Sequence, residues 1–230
     1  MKKLVYALAI LCLPSFVYAQ EVIISGEALY NTNFSIINSQ IVKPTGKSTN
    51  KAGKATVSDL KFVRSQTLSK TIQNDFINQL AKGNPGLKPK IVTDFASNKI
   101  RNQFDQLLTS YGFSSLDIAD AMTAYLVINW QVVNGKELGD KNGFEAVRKN
   151  IRATLLKNGK LKTATAVDKQ KLAENFGYQS IIAMSTYRVL VNKNDRVGLN
   201  KLQQTVYQNT KQAGLDLKSY TLTNRGFVKN

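Results

Sequence analysis

Beyond residue 62 the apolar positions recur at helical spacing and outline about six helices in one domain. The first spans 64–82, with Leu68, Ile72, Phe76 and Leu80 on one face, and Gly83-Asn84-Pro85-Gly86 ends it. The second opens near Pro89 and gathers Ile100, Phe104, Leu107, Leu108 and Tyr111 on one side as far as Gly112. The third, from about Leu116 to Val133, differs in kind. After Ser114 or Ser115 as cap and the carboxylates Asp117 and Asp120, the run from Ala121 to Ile128 is apolar nearly all the way round. A helix of that composition is buried on most sides. It belongs at the centre of the domain, with Trp130 near its end and Asn134-Gly135 as its stop.

A fourth helix over 142–157 turns Phe144, Val147, Ile151 and Leu155 inward and Arg148, Lys149 and Arg152 outward. Asn158 to Thr163 reads as a polar link. Thr165-x-x-Asp168 fits a capping box for a fifth helix running to about 192, with Leu172, Phe176, Ala183, Tyr187 and Leu190 on a shared face and a kink expected at Gly177. The sixth, about 195–213, starts near Asn194 or Asp195, packs Leu199, Leu202 and Val206, and stops at Gly214. From Leu215 to Leu222 the tail alternates like a docked extended segment. The expected fold is therefore all-α, an orthogonal or bundle-like domain with short extended segments at both ends.

The first sixty residues follow other rules. Lys2 and Lys3, an apolar run from Leu4 to Val17 broken by Pro14, and Val17-Tyr18-Ala19 follow the three-part order of a cleavable signal peptide. Residues 1–19 are expected to leave by cleavage between Ala19 and Gln20, with an exported product, periplasmic or secreted. The apolar run falls below the ~18–20 residues of a membrane span, and Leu11 before Cys12 is not the small residue that lipid attachment needs. Residues 20–61 read as an extended or flexible segment, with β-prone runs at 21–25 and 34–37 and a polar tether over 38–60 that cannot bury enough surface to offset its ordering entropy. Residues 62–230 then form the helical domain with its docked tail. Pro44-Thr45-Gly46-Lys47-Ser48-Thr49 superficially matches a phosphate loop, yet Ile41 stands where the motif needs glycine.

Composition narrows the chemistry. The chain has no histidine, and its one cysteine, Cys12, lies in the signal peptide, so the commonest general base, the thiolate nucleophile and Cys/His metal sites are all missing from the product. No Ser-x-x-Lys opens a helix over a pocket. Neither an enzyme nor a cofactor is expected. The carboxylates Asp117 and Asp120, one turn apart, could build a metal or acid–base site with Tyr125 and Trp130 as its wall. The plainer alternative is that they cap a helix and pair with an arginine such as Arg64 or Arg101.

The net charge of +17 is concentrated in the C-terminal half. There Arg148, Lys149, Arg152, Lys157, Lys160, Lys162, Lys169 and Lys171, relieved by Asp168, could form one positive surface. An anionic envelope polymer, a lipid surface or an acidic protein would suit it; solvated lysines that serve solubility are the alternative. Nucleic acid is disfavoured, because no aromatic residue between Phe144 and Phe176 interleaves with these cations.

Tyr111-Gly112-Phe113, Asp117-Ile118-Ala119-Asp120-Ala121, Tyr125-Leu126-Val127, Trp130 and Asn134-Gly135, with Gly214-Leu215-Asp216-Leu217 and the closing Leu222-Thr223-Asn224-Arg225-Gly226-Phe227, resemble an uncharacterised family of exported bacterial helical domains. The resemblance covers roughly residues 60–228 and implies a helical fold and export, without an activity. The expected function is that of an exported, non-enzymatic binding protein whose basic C-terminal half contacts an anionic envelope component or an acidic partner. The alternative is a periplasmic adaptor or chaperone-like helper for another exported protein, using an apolar groove between helices and the flexible 38–60 segment.

Overall fold

The computed structural model of the chain describes residues 57–82, 85–137, 141–157 and 164–230. The expected signal peptide, the β-prone runs, most of the expected tether with its glycine-lysine motif, and the link carrying Lys160 and Lys162 lie outside the described residues. Among those described, seven α-helices follow one another: α1 (Gln66–Lys82), α2 (Lys88–Phe95), α3 (Lys99–Ser110), α4 (Ile118–Asn134), α5 (Lys141–Lys157), α6 (Ala166–Asn192) and α7 (Arg196–Gln212). The chain closes with an antiparallel hairpin, β1 (Tyr220–Thr223) and β2 (Gly226–Lys229), which pairs Tyr220 with Lys229. The all-α reading holds.

The expected second helix is broken into α2 and α3. Ser97 and Asn98 adopt left-handed φ of 57° and 58° between them. No glycine or proline marks the break. The Ser97 hydroxyl instead donates to the Ala96 carbonyl (2.6 Å), the kind of local bond that competes with a helix, and asparagine tolerates the left-handed region.

α4 lies against α5, α6 and α7, with thirteen of its seventeen residues buried, as its apolar circumference requires. Its N-cap is Asp117 rather than a serine: the extended backbone there lets the carboxylate accept from the Ala119 amide (2.9 Å). α6 forms the second axis, with α4 on one side and α1 and α3 on the other. The Thr165–Asp168 capping box is present, and its hydroxyl and amide donors hold the Asp168 carboxyl below the usual carboxylate range. Aromatic rings stitch the layers: Tyr125 of α4 meets Phe176 of α6 at 4.9 Å, and Phe76 of α1 meets Tyr178 of α6 at 5.1 Å. The folded unit also begins earlier than residue 62. Leu60, in a 3-10 turn over Val57–Leu60, is fully buried, and the Phe62 amide bonds the Leu116 carbonyl (3.0 Å).

Gly177 does not kink α6, which runs unbroken through it. The residue is small because the Phe104 ring presses on it: a Cβ there would stand 2.6 Å from Cδ1 of that ring. Helix propensity alone would favour alanine by about 1 kcal/mol. Phe104 is itself buried in the core, so the overpacking cost of about 1–3 kcal/mol dominates. Gly177→Ala is expected to melt several degrees lower than the parent chain; a higher melting temperature would mean that the ring yields.

Candidate functional site

Asp117 and Asp120 stand at the N-terminus of the central helix, each 1% exposed. Facing them on α5 are Arg148 and Arg152, also one turn apart. Arg148 grips Asp120 with two nitrogens, Nε to Oδ1 at 2.7 Å and Nη2 to Oδ2 at 3.0 Å. Nη2 of Arg152 donates to both acids, to Asp117 Oδ2 at 2.7 Å and to Asp120 Oδ1 at 2.9 Å. The Ser114 amide adds a bond to Asp120 Oδ2 (2.9 Å), and the Arg148 guanidinium lies 4.7 Å from the Phe113 ring centroid.

All four carboxylate oxygens are therefore taken by donors. Burial, and then the neighbouring Asp120 charge, push the Asp117 carboxyl up, while Arg152 and the Ala119 and Asp120 amides pull it down. Two acids balance two arginines in a neutral clasp that ties α5 to the start of α4. Each carboxylate is thus engaged as a structural acceptor, and neither stands as an unpaired general base. No group of three or more acidic, cysteine or histidine side chains suited to a metal occurs among the described residues.

Three expectations are corrected here. Arg148 and Arg152 point inward, not outward, because a guanidinium at the edge of an apolar stripe can reach across to the facing helix. The acids do not pair with Arg64 or Arg101. Nor do Tyr125 and Trp130 form a wall beside them: the helical rise carries Tyr125 about 12 Å and Trp130 about 20 Å beyond Asp117. Tyr125 is stacked in the core, whereas the Trp130 indole donates to the Tyr220 carbonyl (2.8 Å) and its ring faces Phe227 at 6.3 Å, anchoring the C-terminal hairpin.

A second polar cluster was not anticipated from the sequence. Nη1 of Arg64 donates to Asp105 Oδ2 at 2.6 Å, and Nη2 bonds Asp105 Oδ1 and the Ser115 hydroxyl. Glu174 of α6, its side chain 1% exposed, accepts from the Ser69 hydroxyl (2.5 Å) and the Gln170 amide (2.9 Å), with Arg64 Nε at 3.5 Å. Gln170 also brackets Ser65, accepting from its amide and donating to its carbonyl. Burial and the Glu174 charge push the Tyr178 hydroxyl up, so it stays protonated. The space enclosed by Arg64, Arg101, Phe104, Glu174 and Tyr178 admits no water-sized molecule, and so no substrate. The available signal was spacing: Ser65 just before α1 and Ser69 within it, Gln170 and Glu174 on α6, each pair four apart.

What remains of the basic stretch is lysine. Lys149, Lys157 and Lys171 are exposed and Lys169 is half-buried. The acids, by contrast, are largely spent inside the fold. Asp105, Asp117, Asp120 and Glu174 sit in ion pairs, and Asp168 and Asp195 cap helices. Asp75, Glu137 and Glu145 are the exposed carboxylates among the described residues, while every helix except α4 carries exposed lysine or arginine. No described helix is long and apolar enough to cross a membrane.

These features define an all-α domain with two largely buried ion clusters and a cationic exterior. The chain belongs to the Family of unknown function DUF6683, whose model matches residues 25–230, so the matched range reaches well ahead of the first described turn. No curated protein and no solved structure matches the chain.

Proposed function

We propose that the protein is exported, loses residues 1–19, and works by binding, its basic C-terminal half contacting an anionic envelope component or an acidic partner protein. The observation that carries this reading is the segregation of charge. The buried clusters match their acids with arginines and so leave the chain's net positive charge on the exterior, where exposed lysines outnumber the exposed carboxylates and concentrate anions near the surface. With Arg148 and Arg152 held in the clasp, the contact falls to Lys149, Lys157, Lys169 and Lys171.

The adaptor alternative needs an apolar groove. The large exposed apolar side chains, Val63, Val92, Leu116, Val167, Val191 and Val197, are spread over several elements. The apolar hollow between Leu107, Tyr111, Val127 and Phe144 has room for about 20 Å³, a single water and not a peptide side chain. The described surface thus favours charge.

Retention of the processed protein on isolated envelope should fall as ionic strength rises from about 0.01 to about 0.15 M, where the Debye length shortens from about 30 to about 8 Å. Changing Lys149, Lys157, Lys169 and Lys171 to glutamine should weaken it. Salt-insensitive capture of one defined protein would overturn the charge reading.

A further inference from the structure

A second set of lysines has a more elaborate setting, at the opposite end of α4 from the clasp. Lys211 of α7 and Lys218, in the 3-10 turn before β1, share one ring: their Nζ atoms lie 5.4 and 4.4 Å from the Tyr207 centroid. Lys136, just past α4, lies 6.0 Å from the Trp130 centroid. Lys229 is the cross-strand partner of Tyr220, whose carbonyl takes the Trp130 indole N–H. The Asn134 amide, bonding the Leu217 carbonyl at 3.4 Å, keeps the two halves of this face together. All four lysines are exposed.

Ring contacts do more than add charge. A cation over an aromatic face is held there, so less side-chain entropy is lost when an anion binds than for a free lysine. Two acids face this surface. Glu137 follows Lys136, and Asp216 is engaged by the Ser219 and Tyr207 hydroxyls near Lys211. Four ammonium groups, three of them over rings, still exceed them.

We propose that this face is an anion-binding surface for an acidic polysaccharide, a partner class that rests on, and sharpens, the binding function proposed above. An array of separated point charges suits a polymer that repeats its negative groups. Single-stranded nucleic acid would need a free ring to stack on, but ammonium groups lie over the Tyr207 ring and Trp130 is 3% exposed. A bilayer would reward apolar side chains that insert, and the exposed valine on α7, Val197, lies at the far end of that helix from Lys211. The face presents lysine, not the planar guanidinium fork that favours phosphate.

The test uses the chain from residue 20 and polygalacturonate as probe, with a single-stranded oligonucleotide and phosphatidylglycerol vesicles beside it, all at one salt concentration. Glutamine at Lys136, Lys211 and Lys218 should weaken polygalacturonate binding by about tenfold or more. The charge-matched control at Lys70, Lys82 and Lys88 should weaken it less than about twofold on the same principle. Tyr207→Leu, which changes no charge, should weaken it about threefold through lost ordering of the two ammonium groups. Equal weakening by the control, or tighter binding of oligonucleotide or vesicles than of polygalacturonate, overturns the inference. Loss confined to variants of Lys149, Lys157, Lys169 and Lys171 overturns it while leaving the binding function standing. Failure to bind any polyanion or envelope fraction overturns both.

Discussion

Asp120→Ala should lower the unfolding free energy by about 3 kcal/mol, the lower end of the cost of breaking a buried ion pair from one side. Asp120 accepts from Arg148, Arg152 and the Ser114 amide, and alanine leaves all of these donors short of an acceptor. The lower end applies because the arginine side chains are 23% and 21% exposed, so water reaches part of each guanidinium. For a domain of this size the loss corresponds to a melting temperature lower by roughly 6–12 °C.

The cost belongs to the unpaired charge, not to the bond itself. Asp120→Leu combined with Arg148→Met should therefore recover much of the lost stability, since replacing both partners by apolar groups is often close to neutral. Removing Asp120 also removes the negative neighbour that helps to raise Asp117, so the Asp117 carboxyl should titrate lower in the variant when followed by NMR. A single substitution costing less than about 1 kcal/mol, the range of a surface pair, would show that the clasp is solvent-screened.

The clasp marks the boundary of what periodicity can reveal. The run Ala121 to Ile128 identified the central helix because an all-round apolar surface admits one placement, and Thr165-x-x-Asp168 marked a helix start because the box requires both residues. Arg148 and Arg152 lie at the margin of the stripe Phe144, Val147, Ile151, Leu155. At that margin a long side chain serves solvent or the facing helix equally well, and only the register of α5 on α4 decides which. The break at Ser97 and Asn98 was hidden because it rests on a side-chain bond and a tolerated backbone state, not on glycine or proline. Trp130 was misread for a related reason: its partner, the Tyr220 carbonyl, is 90 residues away and became visible only when the tail folded into a hairpin.

Glu174→Ala should cost more than Asp120→Ala, about 4 kcal/mol or more, a large share of the 5–15 kcal/mol that holds a typical domain together. Its carboxylate, 1% exposed, gathers the Ser69 hydroxyl, the Gln170 amide and Arg64 Nε. Arg64 keeps Asp105 as a partner, but Ser69 loses its acceptor and Gln170 one of several, and the deleted side chain leaves a cavity inside the fold. A buried donor left without its acceptor costs about 1–3 kcal/mol, and the cavity adds to that. Glu174→Gln should fall between the two states: the amide oxygen can still accept from Ser69, while the charge facing Arg64 is gone. Urea unfolding at constant m-value ranks the variants. The decisive comparison is between the clusters. If Asp120→Ala, whose arginines water can reach, proves costlier than Glu174→Ala, solvent access is not what sets the cost, and the sealed contact of α6 with α1 carries less of the fold than the clasp between α4 and α5.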